Sequence, residues 1–277
     1  MKTMTKTDLI FALYTLNRRW TNGSLLFHRN FDGHIVSMQQ SGSHWIKNQL
    51  ASVLSQLYGL PPLAHIQDDS IIGHTKSPPK YKNIPQIVHS HGYPHGLTLK
   101  LPFLHYPKYL VLVRDLKESL VSHYERFKGD YGNCDFSTYL RGDVRQDKFH
   151  SDIWSRMRFM NEWGRLVEQY PQSVMPLRYE DMKSDAGGSL SRTCDFFGIK
   201  NVTPAIVAAA LEDASRDKMA EKPNPDITTI VVRKEERKNV ADYFTGDNGA
   251  FFDATTARYL KHGFGYDLPT IERKMAA

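Results

Sequence analysis

Cysteine is scarce in this chain of 277 residues: Cys134 and Cys194 are the two present, far apart and without a neighbouring thiol. That excludes a disulfide framework and a cysteine-based zinc site, and makes a reducing compartment the default. Long apolar runs are missing as well. The one near the N-terminus, Leu9 to Leu16, contains a threonine, runs straight into Asn17-Arg18-Arg19 and lacks a small-residue cleavage site, so it reads as a short amphipathic helix. No segment approaches the roughly 20 apolar residues that span a bilayer, so a cytoplasmic protein with no membrane partner is expected. Repeats and low-complexity tracts are absent, which favours a single domain over residues 1–277. Neither charge sign dominates: 36 Lys and Arg against 30 Asp and Glu leave +6. Such a balance suits an anionic ligand at least as well as a nucleic acid, and without an aromatic-basic repeat no nucleic-acid partner is expected. What the chain does have in quantity is histidine, 12 in all, the side chain whose pKa lies nearest neutrality.

Three units share one order, strand then helix. His34 to Met38 is strand-like, Gln39 to His44 is a small polar loop, and the helix that follows stops near Gly59. Tyr109 to Val113 is a buried-type strand that runs through Arg114-Asp115 into a helix ending near Phe127. Ser173 to Tyr179 is the third strand, followed by a helical stretch over Leu190 to Phe197 that stops at Gly198. Strands alternating with helices predict an α/β fold, a central parallel sheet flanked by helices and similar to P-loop nucleotide-binding proteins. Ligands of such sheets bind beyond the carboxyl ends of the strands. Residues 60–85 read as an irregular loop beside that edge, a candidate lid or acceptor-binding loop, and 221–249 as a second loop with basic pairs Arg233-Lys234 and Arg237-Lys238.

Ser41-Gly42-Ser43-His44-Trp45 follows a strand and opens a helix, a place where backbone N–H groups can converge on an anion. It is not a Walker A motif, because Gly-Lys-Ser/Thr is missing. Residues 37–45 instead resemble the phosphosulfate loop of the cytosolic-type sulfotransferases, which use 3'-phosphoadenosine 5'-phosphosulfate (PAPS). Three further segments carry the likeness in the family's order. Residues 109–127 are similar to its 3'-phosphate segment, with Arg114 at a strand end and Ser122 eight residues on. Leu177 to Met182 is similar to the run whose tyrosine, here Tyr179, contacts adenine. Residues 232–253 match the C-terminal cofactor segment through Arg233, Lys234, Phe244 and Phe252-Asp253. Read without the family, Arg114 is a helix-start partner for Asp115 or Glu118, Arg233-Lys234 a solvated charge run, and Trp45 a core residue. The resemblance implies that Gln40, Ser41, Gly42, Ser43, His44, Trp45, Arg114, Ser122, Tyr179, Arg216, Arg233 and Lys234 hold PAPS, with Trp45 and Arg216 on the adenine.

The resemblance also assigns the chemistry. Sulfuryl transfer needs a base for the acceptor, in-line placement and donors on the charge that develops. The family's base is the histidine of a Lys-Thr-His run. Here the sequence is His89-Ser90-His91, so His91 is the expected base. Two family lysines are replaced, by Gln40 in the loop and by His89, and these two, with His44, are the expected stand-in donors. His89, His91 and His95 could alternatively hold a metal, but no carboxylate or thiol stands close in sequence, so no metal is expected. Asp68 and Asp69 in the acceptor loop read either as part of a solvated loop or as a lure for a cationic or strongly polar substrate; the expected acceptor is a small polar molecule, sulfated on a hydroxyl or on an amine or guanidine nitrogen, with adenosine 3',5'-bisphosphate (PAP) as coproduct. The family's dimer motif is not preserved, since Ala241, Gly246 and Ala250 replace its key residues. The alternatives are a divergent P-loop phosphotransferase and a non-catalytic nucleotide-binding protein.

Overall fold

Every residue of β1 (Gly33–Ser37) is buried, and its neighbours in sequence face different cores. Ile35 belongs to one apolar cluster and Val36 to the other; in β4 (Lys108–Val113), Leu110 and Leu112 oppose Tyr109, Val111 and Val113 in the same way. This period of two, with apolar residues on both faces, is what a sheet covered on both sides requires. Residues 4–21, 30–97, 99–100, 106–222 and 239–268 are described by the computed structural model. With β2 (Gly73–His74), β3 (Ile87–Ser90) and β5 (Val174–Arg178), the strands form one parallel sheet in the order β2-β3-β1-β4-β5. The chain leaves β1 on one side for β2 and β3, then crosses back past β1 to β4. Connections therefore diverge at the carboxyl end of β1, the place where ligands of open parallel sheets bind.

One face is covered by α2 (Ser43–Tyr58), α7 (Ala186–Phe197) and α8 (Pro204–Asp213), through residues such as Ile46, Leu50, Leu190 and Val207. The other is covered by α3 (Leu116–Phe127), α4 (Phe136–Arg141), α5 (Ile153–Gln169) and α10 (Gly246–Tyr259). Among the described residues the remaining α-helices are α1 (Lys6–Thr21), α6 (Tyr179–Ser184) and α9 (Arg216–Ala220). Capping fixes several ends: Asp115 accepts from the Glu118 amide at the start of α3, while Gly59 and Gly198 close α2 and α7 in left-handed conformation.

Three segments differ from the sequence expectation. The strand over 173–179 ends at Arg178, and Tyr179 opens α6, whose first turn carries Glu180 and Asp181 where acids suit the helix dipole. Residues 60–85 are not wholly loop: Ile66, Ile71, Ile72 and Ile84 are buried, and β2 adds an edge strand. Within 221–249, the described part holds a 3-10 turn at Val240–Phe244 and the start of α10.

Candidate active site

The loop after β1 is shaped by short-range hydrogen bonds. The Met38 amide donates to the Leu112 carbonyl at 2.9 Å, and the Met38 carbonyl accepts from both the amide (3.2 Å) and the hydroxyl (2.5 Å) of Ser41. Gly42 has φ +86°, and a Cβ there would lie 2.8 Å from Tyr179 Cδ2, so conformation and contact both demand glycine. The helix then starts with no side-chain cap. Among the described residues, no backbone acceptor meets the amides of Gly42, Ser43 and His44. Three such donors at a helix N-terminus, with the positive end of the helix dipole, form a receptor for an oxyanion.

Arg114 and Ser122 converge on that loop. Arg114, 5% exposed, donates to the Gln40 carbonyl at 3.2 Å and to Glu118 Oε2 at 2.9 Å, and its guanidinium lies 4.5 Å from the Tyr179 ring centroid. The helix-start pairing with Glu118 and the contact with the loop are both present. Ser122 reaches the Gln40 side-chain Oε1 at 3.5 Å, so Gln40 is turned toward α3. Trp45 is half-buried with its ring edge toward Tyr179, centroids 6.1 Å apart, and it also packs on the cluster of Ile66, Ala214 and Met219. Arg216 is exposed in the first turn of α9; Met219 is that helix's contribution to the cluster beside Trp45. Arg233 and Lys234 lie outside the described residues.

His91 stands just past β3, its Nδ1 2.8 Å from the Ser37 carbonyl and 2.9 Å from the Ser37 hydroxyl. A carbonyl can only accept, so Nδ1 carries the proton and Nε2 holds a free lone pair. The Ser37 hydroxyl donates to the Ser90 carbonyl at 3.5 Å, which leaves its oxygen free to face the imidazole. His91 is exposed to an adjoining cavity but otherwise surrounded by protein, and that desolvation lowers its pKa to about 4, against the opposing hydrogen bond that it donates to the Ser37 carbonyl. The segment is pinned from below: Trp163 Nε1 donates to the Gly92 carbonyl at 3.0 Å, and Tyr93 donates to the Ser155 carbonyl at 2.8 Å. His95 turns away, edge-on to Trp20.

The second expected donor, His89, belongs to a chain of groups that the sequence does not announce. Asp69 Oδ1 accepts from Lys47 Nζ at 2.5 Å and faces His89 Nε2 at 3.1 Å. Lys47 is 1% exposed, and burial lowers its pKa against the opposing charge of Asp69. Burial alone would raise the Asp69 carboxyl; the His89 hydrogen bond and the Lys47 charge outweigh it and hold the group below the usual carboxylate range. Asp68 folds its own loop, accepting from the amides of Ala64 (3.0 Å) and Ser70 (2.8 Å). Both acids of the acceptor loop are thus engaged within the protein. At His44, burial, then the nearby Lys47, lowers the pKa to about 3, so the ring is neutral near pH 7.

Lys47 is hidden from sequence reading because it stands among apolar residues of α2, where a lysine ordinarily marks the solvent face. A buried arginine, Arg156 on α5, also reaches the loop, donating toward the Gln39 carbonyl at 3.4 Å. Among the described residues there is no group of three or more His, Cys, Asp or Glu placed to hold a metal, and no helix is long and apolar enough to cross a membrane.

Comparison with known proteins gives matches in sequence and in fold. The family model described as the sulfotransferase domain matches residues 32–264. Sulfotransferase 2A6 of Mus musculus is 31% identical over 149 residues, 50% of this chain and 48% of that protein. Sulfotransferase 2A2 of the same species is 30% identical over 166 residues, 56% of this chain and 52% of that one. The chain thus spans about half the length of the curated relatives it matches. Among solved structures, mouse sulfotransferase SULT7A1 complexed with PAP is similar at a TM-score of 0.58 and 21% identity, over 93% of this chain and 94% of that one. Retinol dehydratase in complex with androsterone and PAP is similar at 0.58 and 15%, over 84% and 83%.

Proposed function

The chain belongs to the sulfotransferase domain family, and from that premise we propose that it moves a sulfuryl group from PAPS to a hydroxyl or nitrogen of a small acceptor. The reading rests on one juxtaposition: a histidine with a fixed tautomer and a free Nε2, hydrogen-bonded to the strand residue that leads into an anion-ready loop. PAP in both structural neighbours supports the choice of co-substrate.

PAPS supplies an activated sulfuryl group, whose bond to the phosphate oxygen breaks as the acceptor oxygen or nitrogen bonds to sulfur. The chain's residues divide the remaining work. Amides of Gly42, Ser43 and His44 take the 5'-phosphate side, Arg114 and Ser122 the 3'-phosphate, and Tyr179 and Trp45 the base. Arg216, Arg233 and Lys234 complete the cofactor set implied by the family pattern. Neutral His91 takes the acceptor proton at Nε2, while its Nδ1–H, held by Ser37, steadies the cation that forms. Gln40 and His89 stand where the family's lysines act, and the Nε2 edge of His89 is held by Asp69, which also binds Lys47.

A thermal-shift comparison of PAP, PAPS and ATP tests this reading. At 100 times Kd, a ligand of the native state adds about 2.7 kcal/mol, so PAP and PAPS are expected to raise Tm clearly and ATP little. Stabilisation by ATP without any by PAP would overturn it in favour of a phosphotransferase.

A further inference from the structure

The cavity that His91 faces has a volume of about 130 Å³, small beside the roughly 300–1,000 Å³ of pockets for drug-sized ligands. If His91 is the base, as proposed above, the acceptor occupies this space. Its walls are basic: Arg18 comes from α1, Arg156 from α5 and His150 from the segment before α5, and among the described residues no Asp or Glu lines it.

Arg156 is the decisive group. It is 1% exposed, yet its bonds go to neutral oxygens: Ser151 Oγ at 2.7 Å, the Ser119 carbonyl at 3.1 Å and the Gln39 carbonyl at 3.4 Å. Its Nε finds no acceptor among the described residues. Asp152, one helical turn earlier, is the nearest acid in sequence, but its oxygens accept from the amides of Ser155 (3.0 Å) and Asp143 (2.9 Å) as the cap of α5. Asp152 acts on Arg156 through its charge alone, and a buried guanidinium with no carboxylate bonded to it is costly unless a negative ligand completes its environment. Tyr93 and Phe159 supply apolar wall beside it, and the Ser151 hydroxyl adds a polar group.

We infer that the acceptor is a small hydroxylated acid, its anionic group held by Arg156 with Arg18 at the rim while its hydroxyl faces His91. This inverts the charge expected from Asp68 and Asp69, whose carboxylates are engaged elsewhere.

The test uses the full chain saturated with PAP and three probes of similar size: 4-hydroxybenzoate, its methyl ester and tyramine. Calorimetry is expected to give the acid the tightest binding, by about tenfold or more over the ester, since a hydrogen bond to a charged group contributes about one to two factors of ten. Arg156→Gln should remove that advantage and leave the ester and PAP affinities within about threefold. Arg18→Gln, at an exposed position and so safe for folding, should reduce it in the same direction. Turnover with PAPS should rank the probes in the same order. Equal or tighter binding of the ester or amine overturns the inference. So does an Arg156→Gln variant that loses PAP affinity instead, which would put the guanidinium on the cofactor side. If PAP itself gives no stabilisation, the sulfotransferase reading falls and this inference with it; if PAP binds and the acid has no advantage, this inference alone falls.

Discussion

Replacing Asp69 with asparagine removes the one carboxylate, among the described residues, that is bonded to the buried Lys47 ammonium. Lys47 is 1% exposed and Asp69 31%, so the ammonium bears nearly the full loss while solvent relieves part of it on the acid side. Removing one partner of a buried pair costs about 3–5 kcal/mol, and the partial exposure of Asp69 argues for the lower end, about 3 kcal/mol. For a chain of this size each kcal/mol lowers Tm by roughly 2–4 °C, so Asp69→Asn should melt about 6–12 °C below the wild type. Circular dichroism melts at pH 7 read this directly. The sign with pH is also set. Because the folded-state pKa of Asp69 is depressed, its contribution is complete above the ordinary carboxylate pKa of about 3.9 and fades as pH falls through the lower folded value. The gap between wild type and variant should therefore stay constant from about pH 8 to 5 and narrow only in stronger acid. A Lys47→Met, Asp69→Leu double variant removes both charges and should recover most of the loss. An Asp69→Asn protein melting within about 2 °C of the wild type at pH 7 would refute the reasoning, because the ammonium would then not depend on this acid.

Three further outcomes are expected. His91→Asn should lower turnover by about 10²–10⁴ with PAP affinity unchanged, and the wild-type rate should lose activity only as pH falls toward 4, where the imidazole protonates; an acid limb near the unperturbed value of about 6.5 would assign the base elsewhere. Gly42→Ala forces a side chain into left-handed backbone at about 1–2 kcal/mol and pushes it against Tyr179, so calorimetry should show PAP binding weakened about tenfold, and unchanged binding would show the loop to be dispensable. Arg114→Gln should weaken PAP by about tenfold or more while sparing adenosine 5'-monophosphate; equal losses for the two nucleotides would detach Arg114 from the 3'-phosphate.

Much of the architecture is legible in the sequence because period and punctuation coincide. Tyr109 to Val113 is apolar throughout, as a strand covered on both faces must be, and Gly59 and Gly198 stop helices where a left-handed residue is needed. The loop after β1 is legible through its small residues. What escapes is whatever depends on burying charge. Helix α5 carries Arg156 and Arg158 fully inside the protein, so its charged residues do not all mark a solvent face. Lys47 is concealed for the same reason, and Asp69, read as a lure for cations, already has one. Ile71 and Ile72 are apolar enough to be core, but the prolines and charges around them disguise the edge strand they precede.

The bond from His91 to the carbonyl of Ser37 ties the proposed proton acceptor to the last residue of β1, and the anion-ready loop grows from that same residue. The two halves of the chemistry thus share one mount, a central strand with no exposed residue. Alignment between them is a property of the sheet rather than of the loops. Substitutions in the segments that shape the neighbouring cavity can therefore change which acceptor is taken without disturbing the line along which the group is passed.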